Sequence, residues 1–155
     1  MGKTVLLNRI RNIAEALKYK TISIEATENK KFIELLLPYI RSTLYGLDNY
    51  QSVSQKVKKS FRILRSFLEA FKLTINEVDI SIIPERGEAD SGELEIDLPT
   101  LLESLGEAAK DRSTAIAIFI DEIQYLSEKE LSAIIMSAHK ISQKQLPLIF
   151  VGAGL

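Results

Sequence analysis

Three residues near the start of the chain, Gly2, Lys3 and Thr4, have the types and the order of a phosphate-binding turn. They directly precede a segment with helical periodicity, so backbone amides at the start of that helix would point at a bound phosphate. In such a turn Lys3 adds a positive charge, and the Thr4 hydroxyl is a ligand for Mg²⁺. The tripeptide is short, and a simpler alternative is a lysine followed by a threonine that caps a helix.

A pair of carboxylates follows the most apolar segment of the chain. Asp121 and Glu122 come directly after the run 115–120, which is typical of a strand buried on both faces of a parallel sheet. Ligands of open α/β sheets bind outside the carboxyl ends of such strands. At a phosphate site Asp121 would hold Mg²⁺, and Glu122 would orient and deprotonate the attacking water. The alternative is that the pair only begins a turn and supplies capping charge.

Composition narrows the chemistry that the chain could perform. The 155 residues include no cysteine and one histidine, His139, which excludes disulfide frameworks, thiolate zinc sites, cysteine nucleophiles and multi-histidine metal cages. Lysine, hydroxyl, carboxylate and amide groups remain, and these are the groups that handle phosphates. Twenty basic and 21 acidic residues give a net charge of −1, which disfavours a globally basic nucleic-acid binder. Without a leader or an apolar run of about 18 residues, the sequence predicts a cytoplasmic protein.

The elements that would position these residues alternate between helices and strands. Periodicity predicts helices over 4–18, 30–45 and 52–72, with Pro38 kinking or interrupting the second and Gly46 closing it. Asp97 is expected to cap a further helix with Pro99 in its first turn, and Ser127 and Glu130 form a capping box. Strands are predicted over 19–26, 115–120 and 146–151, and a β-hairpin is predicted around 78–97, with strands at 78–83 and 93–96. The alternation predicts a layered α/β fold.

Taken together, these segments resemble P-loop ATPases of the AAA+/STAND superclass, of the bacterial and archaeal origin-recognition-like type. Gly2-Lys3-Thr4 resembles the end of Walker A, the stretch 117–126 resembles Walker B, and 148–154 resembles the next core strand. The resemblance covers residues 1–155 and implies a three-layer αβα P-loop NTPase fold with a parallel sheet. It implies ATP and Mg²⁺ as cofactors, nucleotide binding by Gly2, Lys3 and Thr4, metal binding by Thr4 and Asp121, and Glu122 as the catalytic base. The implied activity is that of an ATP-hydrolysing switch.

Relative to the family pattern, the first part of Walker A, its preceding strand and a C-terminal strand and lid are missing. The sequence therefore predicts an incomplete ATPase core that binds ATP weakly, since few loop amides converge on the phosphates, and that self-associates through exposed sheet edges. The alternative function is a non-catalytic module that binds a protein or DNA through the 52–72 helix or the hairpin. A basic stripe on that helix could contact a polyanion or could simply be a solvated face; it comprises Lys56, Lys58, Lys59, Arg62 and Arg65.

Overall fold

The structure, a computed structural model, describes residues 2–74 and 81–155. These ranges contain five α-helices and three β-strands. In chain order they are α1 (Gly2–Ala16), β1 (Lys20–Glu25), α2 (Phe32–Asp48), α3 (Gln55–Ala70), α4 (Leu94–Asp111), β2 (Ile116–Asp121), α5 (Glu128–Gln143) and β3 (Leu148–Gly152). A single 3₁₀ turn, Ile123–Tyr125, connects β2 to α5. Each of the three predicted strands is present, with ends shifted by one or two residues.

The three strands form one parallel sheet in the order β1-β2-β3. The central strand is β2, and its Ile118 lies opposite Ile22 of β1 and Phe150 of β3. All five residues from Ile116 to Ile120 are buried, as expected for a central parallel strand. Because the strands are parallel, their carboxyl ends share one edge of the sheet, which is where Asp121 and Glu122 lie.

Helices cover both faces of the sheet. On one face, Leu7 and Ala14 of α1 pack on Ala117 and Phe119 of β2. On the other face, the alternate residues of β2 belong to a larger core that is built from α2, α3, α4 and α5. The chain is therefore an α/β protein with a parallel sheet between helical layers. In residues 2–74 and 81–155 no helix has both the length and the apolarity needed to cross a bilayer.

The predicted β-hairpin around 78–97 is wrong wherever the structure describes it. Residues 94–96 form the first turn of α4 rather than a strand, and 81–83 have no strand partner; 78–80 lie outside the described residues. The alternation of polar and apolar residues at 93–96 led to a wrong prediction of a strand. Leu94 also begins a series with helical spacing that continues with Leu98, Leu101 and Leu105, and all four leucines are buried. Pro99 is therefore inside α4 rather than in its first turn.

The assignment of Asp97 as a helix cap is also wrong. Glu93 occupies the N-cap position, and Asp97 lies one turn inside α4 with only 1% of its surface exposed. Its Oδ1 accepts hydrogen bonds from the Ser91 amide (3.2 Å) and hydroxyl (2.7 Å), and its Oδ2 accepts one from the Gly92 amide (2.8 Å). The carboxylate thus ties the preceding loop to the helix instead of closing the helix end.

Helix α2 does not break at Pro38 or end at Gly46, contrary to prediction. It is continuous to Asp48. Pro38 lies on the exposed side of α2, as does Glu34 one turn earlier, so water can reach the carbonyl that the proline leaves unpaired. The capping box at the start of α5 is confirmed, with reciprocal bonds between Ser127 and Glu130.

Candidate functional site

The start of α1 meets the carboxyl end of β2. The Thr4 hydroxyl donates a hydrogen bond of 2.8 Å to Oδ2 of Asp121, although the two residues are 117 positions apart. The Lys3 ammonium donates to the carbonyl oxygen of Gly154, just beyond β3. These two contacts fix the beginning of α1 over the ends of the two strands. The sequence predicted a phosphate and metal site from Lys3, Thr4, Asp121 and Glu122. These contacts bring the first three together at one edge of the sheet, although they come from two distant segments of the chain.

Both oxygens of the Asp121 carboxylate have protein partners. While Oδ2 accepts from Thr4, Oδ1 accepts a hydrogen bond of 2.9 Å from the Glu122 backbone amide. The backbone of Asp121 is also held, since its carbonyl accepts from the Ala26 amide at 3.0 Å. Two side-chain contacts and a backbone bond thus orient this carboxylate toward the first turn of α1.

Glu122 has an unusual backbone conformation for a residue that follows a strand. Its φ of 56° and ψ of 45° lie in the left-handed region, which is sparsely populated by residues other than glycine. Of the five other described non-glycine residues with positive φ, Ala89 lies in a loop and four come two positions after a helix ends, where this conformation closes a helix; the four are Lys18, Lys72, Ser113 and Gln145. Glu122 instead directly precedes the 3₁₀ turn Ile123–Tyr125, and its conformation ends the extended backbone of β2.

The Glu122 carboxylate is held by Gln124. The side-chain amide of Gln124 donates to Oε2 of Glu122, and its carbonyl oxygen accepts from the Leu155 amide at 3.2 Å. Nearby, the Ile123 amide donates to the carbonyl of Ala153 at 2.9 Å. The turn after β2 is therefore tied to the segment after β3 through both backbone and side chain.

Gly154 permits this close approach. A Cβ at this position would lie 2.6 Å from the side-chain oxygen Oε1 of Gln124 and 2.7 Å from a methyl carbon of Ile123. Contacts this short do not occur between real Cβ atoms and their neighbours, so a larger residue would push the two turns apart. The glycine therefore positions Gln124 and, through it, the Glu122 carboxylate.

A groove of about 260 Å³ adjoins the Thr4 and Asp121 pair on the β1 side of α1. Its polar lining includes Asn8 and Arg11 of α1 and Glu25 at the end of β1. Arg11 has two long contacts: one guanidinium nitrogen is 3.5 Å from the Ser23 hydroxyl, and another is 3.8 Å from the Glu15 carboxylate. Small-molecule pockets usually measure about 300–1,000 Å³, so this groove has room for part of a nucleotide.

The donor set at Thr4 and Asp121 fits a magnesium ion. Mg²⁺ prefers hard oxygen ligands in an octahedron with bonds of about 2.0–2.1 Å, which puts neighbouring ligand oxygens about 2.9 Å apart. The 2.8 Å between the Thr4 hydroxyl and Asp121 Oδ2 is the usual length of a hydrogen bond between hydroxyl and carboxylate, and it is also compatible with that separation. Among the described residues, no group of three or more acidic, histidine or cysteine side chains could hold a metal by itself. Any Mg²⁺ here would need further ligands from water or a bound phosphate, as is usual for this ion.

Gln124 and Gly154 are the parts of the site that sequence reasoning missed. Gln124 is exposed, so its sequence position gave no signal that its amide would contact Glu122 and Leu155 rather than water. Gly2 and Lys3, which the sequence placed in a turn before the helix, lie instead in the first turn of α1, and Gly2 is exposed. Glu122 lies at the same sheet edge as Asp121, but its side chain has Gln124 as its partner rather than Thr4.

The basic stripe on α3 is largely neutralised by neighbouring carboxylates. Lys56 lies 3.7 Å from Glu107, and Arg62 donates to Glu85 at 2.7 Å. The hydrogen bond from Arg62 lowers the pKa of the Glu85 carboxyl below its ordinary value. Arg65 pairs with an acidic residue of its own helix at 3.1 Å. At these three of the five stripe residues a bound phosphate would have to displace a carboxylate, which favours a solvated helix face over a polyanion-binding surface.

Comparisons with known proteins add no assignment to this geometry. No protein-family model, no curated protein and no solved structure matches the chain. The function must therefore be inferred from the site itself.

Proposed function

We propose that the sheet edge formed by Lys3, Thr4, Asp121 and Glu122 binds the phosphates of ATP together with Mg²⁺, and that it supports ATP hydrolysis used as a conformational switch. The observation that carries this proposal is the hydrogen bond between Thr4 and Asp121. It joins a hydroxyl at the start of a helix to a carboxylate at the end of a buried parallel strand, two places that suit a phosphate and its metal ion.

Phosphate binding would depend on α1. The first amides of a helix have no partner within the helix, and they carry a partial positive charge toward its start. No acidic side chain lies in the first turn of α1 to oppose an anion there. Lys3 is exposed and adjoins the Thr4 hydroxyl, so it can exchange its bond with the Gly154 carbonyl for one with a phosphate oxygen. With one ammonium and the amides of one turn, we expect weak binding.

Hydrolysis would depend on Glu122. Its carboxylate lies at the same edge of the sheet, and Gln124 holds it through one hydrogen bond. A carboxylate in this place can orient a water molecule and accept its proton as the water attacks the terminal phosphorus. Bound Mg²⁺ would supply charge that offsets the negative charge of the phosphates. Asp121 and Thr4 are the residues that would hold the ion.

The test is a titration that reports on individual residues. Backbone amide NMR spectra are recorded as Mg²⁺ and ATP are added together, and then with ATP and a chelator. We expect shifts concentrated at residues 2–5 and 121–124 that weaken when the metal is chelated. Replacing Mg²⁺ with Mn²⁺ should broaden the amide signals of Thr4 and Asp121 first, because this ion relaxes nearby nuclei.

Matched variants separate the roles. Thr4→Val removes the hydroxyl with almost no change of shape and should abolish the metal dependence, whereas Thr4→Ser should retain it. Glu122→Gln should stop phosphate release while leaving the NMR shifts in place. Metal-independent shifts spread over other surfaces would refute the binding proposal, and unchanged phosphate release from Glu122→Gln would remove this residue from the role of base.

A further inference from the structure

Strand β1 brings a further carboxylate to the edge of the sheet where Asp121 lies. The strand ends at Glu25, and the parallel register pairs the Cα atom of Glu25 with that of Asp121. Neighbouring strands are about 4.8 Å apart, and paired residues of parallel strands point to the same face. The two carboxylates therefore leave the sheet side by side.

The side chain of Glu25 lies on the α1 side of the sheet. Residues alternate between the two faces along a strand, and Ser23, two residues before Glu25, contacts Arg11 of α1 at 3.5 Å. Glu25 also lines the groove beside α1, together with Thr4 and Asp121. Oxygen-bearing side chains from α1, β1 and β2 therefore border the same groove.

The charges of Glu25 and Asp121 are not offset by a neighbouring cation of the protein. Within residues 2–74 and 81–155 no basic side chain pairs with either carboxylate, and Glu25, which is exposed, has no hydrogen-bond partner. Arg11 lines the same groove, but its ion-pair partner is Glu15, at 3.8 Å. Like charges side by side on neighbouring strands destabilise a sheet. This pair of carboxylates is therefore a cost to the fold that a bound cation would relieve.

An ion held by Thr4 and Asp121 would lie close to this third side chain. Mg²⁺ keeps several water ligands when a protein supplies only one or two of its own. Those waters donate hydrogen bonds, and an ionised carboxylate is the acceptor that forms the strongest ones. Glu25 has its carboxylate free for this purpose and borders the same groove as the two proposed ligands.

We propose that Glu25 is a second carboxylate of the magnesium site. It accepts hydrogen bonds from the water ligands of the ion that Thr4 and Asp121 hold, and its negative charge raises the affinity of the site for a divalent cation. Because the ion is the one in the proposed function, this role of Glu25 rests on that function. It differs from the role of Glu122, whose carboxylate has Gln124 as its partner.

This role gives Glu25 opposite effects on stability and on metal affinity. Without a metal ion the charge of Glu25 only repels that of Asp121, so Glu25→Gln should leave the midpoint of urea unfolding unchanged or raise it. With Mn²⁺ and ATP present, the same variant should weaken metal binding by about tenfold, as is usual when a group that holds a ligand of the metal is lost. A residue with a purely structural role would lower the unfolding midpoint instead.

The test follows the backbone amide signals of the full chain by NMR as Mn²⁺ is added in the presence of ATP. In wild type we expect the amide signal of Glu25 to broaden together with those of Thr4 and Asp121. In Glu25→Gln, equal broadening of the Thr4 and Asp121 signals should require about tenfold more Mn²⁺. Urea unfolding of both proteins without metal gives the stability that the second expectation needs.

Asp48→Asn is the matched control, because it removes one exposed carboxylate from the far end of α2. This helix begins beside the carboxyl end of β1 and is 17 residues long, so Asp48 lies about 25 Å from its start. The control should bind Mn²⁺ as wild type does. An equal loss of affinity in Asp48→Asn and Glu25→Gln would overturn the role of Glu25, because net charge alone would then explain the loss.

Two further outcomes would overturn the role of Glu25 while leaving the proposed site in place. One is an unchanged Mn²⁺ affinity in Glu25→Gln when the wild-type signals of Thr4 and Asp121 do broaden. The other is a lower unfolding midpoint in Glu25→Gln without metal. If Mn²⁺ fails to broaden the Thr4 and Asp121 signals of wild type, the proposed site and the role of Glu25 are refuted together.

Discussion

Asp121 offers a way to separate a structural role from a metal-binding role at the same position. In the structure one of its oxygens accepts from the Thr4 hydroxyl and the other from the Glu122 amide. Asparagine can keep both contacts: its carbonyl oxygen can accept from the Glu122 amide, and its NH₂ group can donate to the Thr4 hydroxyl, which is able to accept. Asp121→Asn should therefore preserve the local geometry and remove only the charge.

The expected magnitudes differ sharply between variants. Asp121→Asn should change the free energy of unfolding by less than about 1 kcal/mol, because both hydrogen bonds persist. Asp121→Ala leaves the Glu122 amide without its acceptor at a residue that already has a left-handed backbone, so we expect a loss of about 1–3 kcal/mol. Both variants remove a carboxylate ligand, and we expect each to weaken Mg²⁺ binding in the presence of ATP by about 10–100-fold.

Two measurements check this prediction. Urea unfolding without ligand gives the stability of wild type, Asp121→Asn and Asp121→Ala, and Mn²⁺ broadening of the Thr4 amide with ATP gives the metal affinity. If asparagine destabilises the protein as much as alanine, the hydrogen-bond exchange described above is refuted. If asparagine leaves the metal affinity unchanged, Asp121 is not a metal ligand, whatever its effect on stability.

Two further predictions concern Gly154 beside the candidate site and the ion pairs of Glu103 on α4. Gly154→Ala should lower the unfolding free energy by about 1–3 kcal/mol and shift the side-chain amide NMR signals of Gln124, since its Cβ would lie 2.6 Å from that side chain; unchanged signals would contradict the packing. Although burial raises the pKa of Glu103, hydrogen bonds from Lys144 and Lys140 outweigh it and hold the pKa below its ordinary value of 4.5. Glu103→Gln should lower the free energy of unfolding by about 1 kcal/mol above pH 4.5. This difference from wild type should vanish as the pH falls through the lowered pKa of Glu103. Urea unfolding of both proteins from pH 7 to pH 3 measures it, and a difference that stays constant over this range would contradict the prediction.

The sheet could be predicted because the pattern of apolar residues in its strands fits few other structures. The run 116–120 contains only apolar residues, which suits a strand buried on both faces, and 20–25 and 148–152 flank it in the same sheet. The region before α4 was not predictable in the same way. Four alternating residues at 93–96 fit both a strand and the first turn of a helix, and only the burial of Leu98 and Leu101 behind them decides for the helix.

The hydrogen bonds of Asp97 with the loop before α4 could not be predicted from the sequence either. Asp97 looked like a cap because aspartate favours that position, yet it accepts three hydrogen bonds from the preceding loop and is almost fully buried. Its partners, Ser91 and Gly92, carry no pattern that names Asp97 as their acceptor. The sequence also did not show which side of α2 Pro38 occupies. The helix accommodates the proline because this residue faces water.

The two carboxylates after β2 show most clearly what structure adds to the candidate site. Consecutive residues in a strand point to opposite faces, so Asp121 and Glu122 could not both reach one ligand if the strand simply continued. The left-handed turn at Glu122 and its bond with Gln124 hold the second carboxylate at the sheet edge, while Asp121 remains aimed at Thr4. A site that uses one carboxylate for a metal ion and another for water requires the two groups to have different partners. Gly154→Ala is therefore expected to slow any hydrolysis through Glu122 while leaving the metal contacts of Asp121 in place.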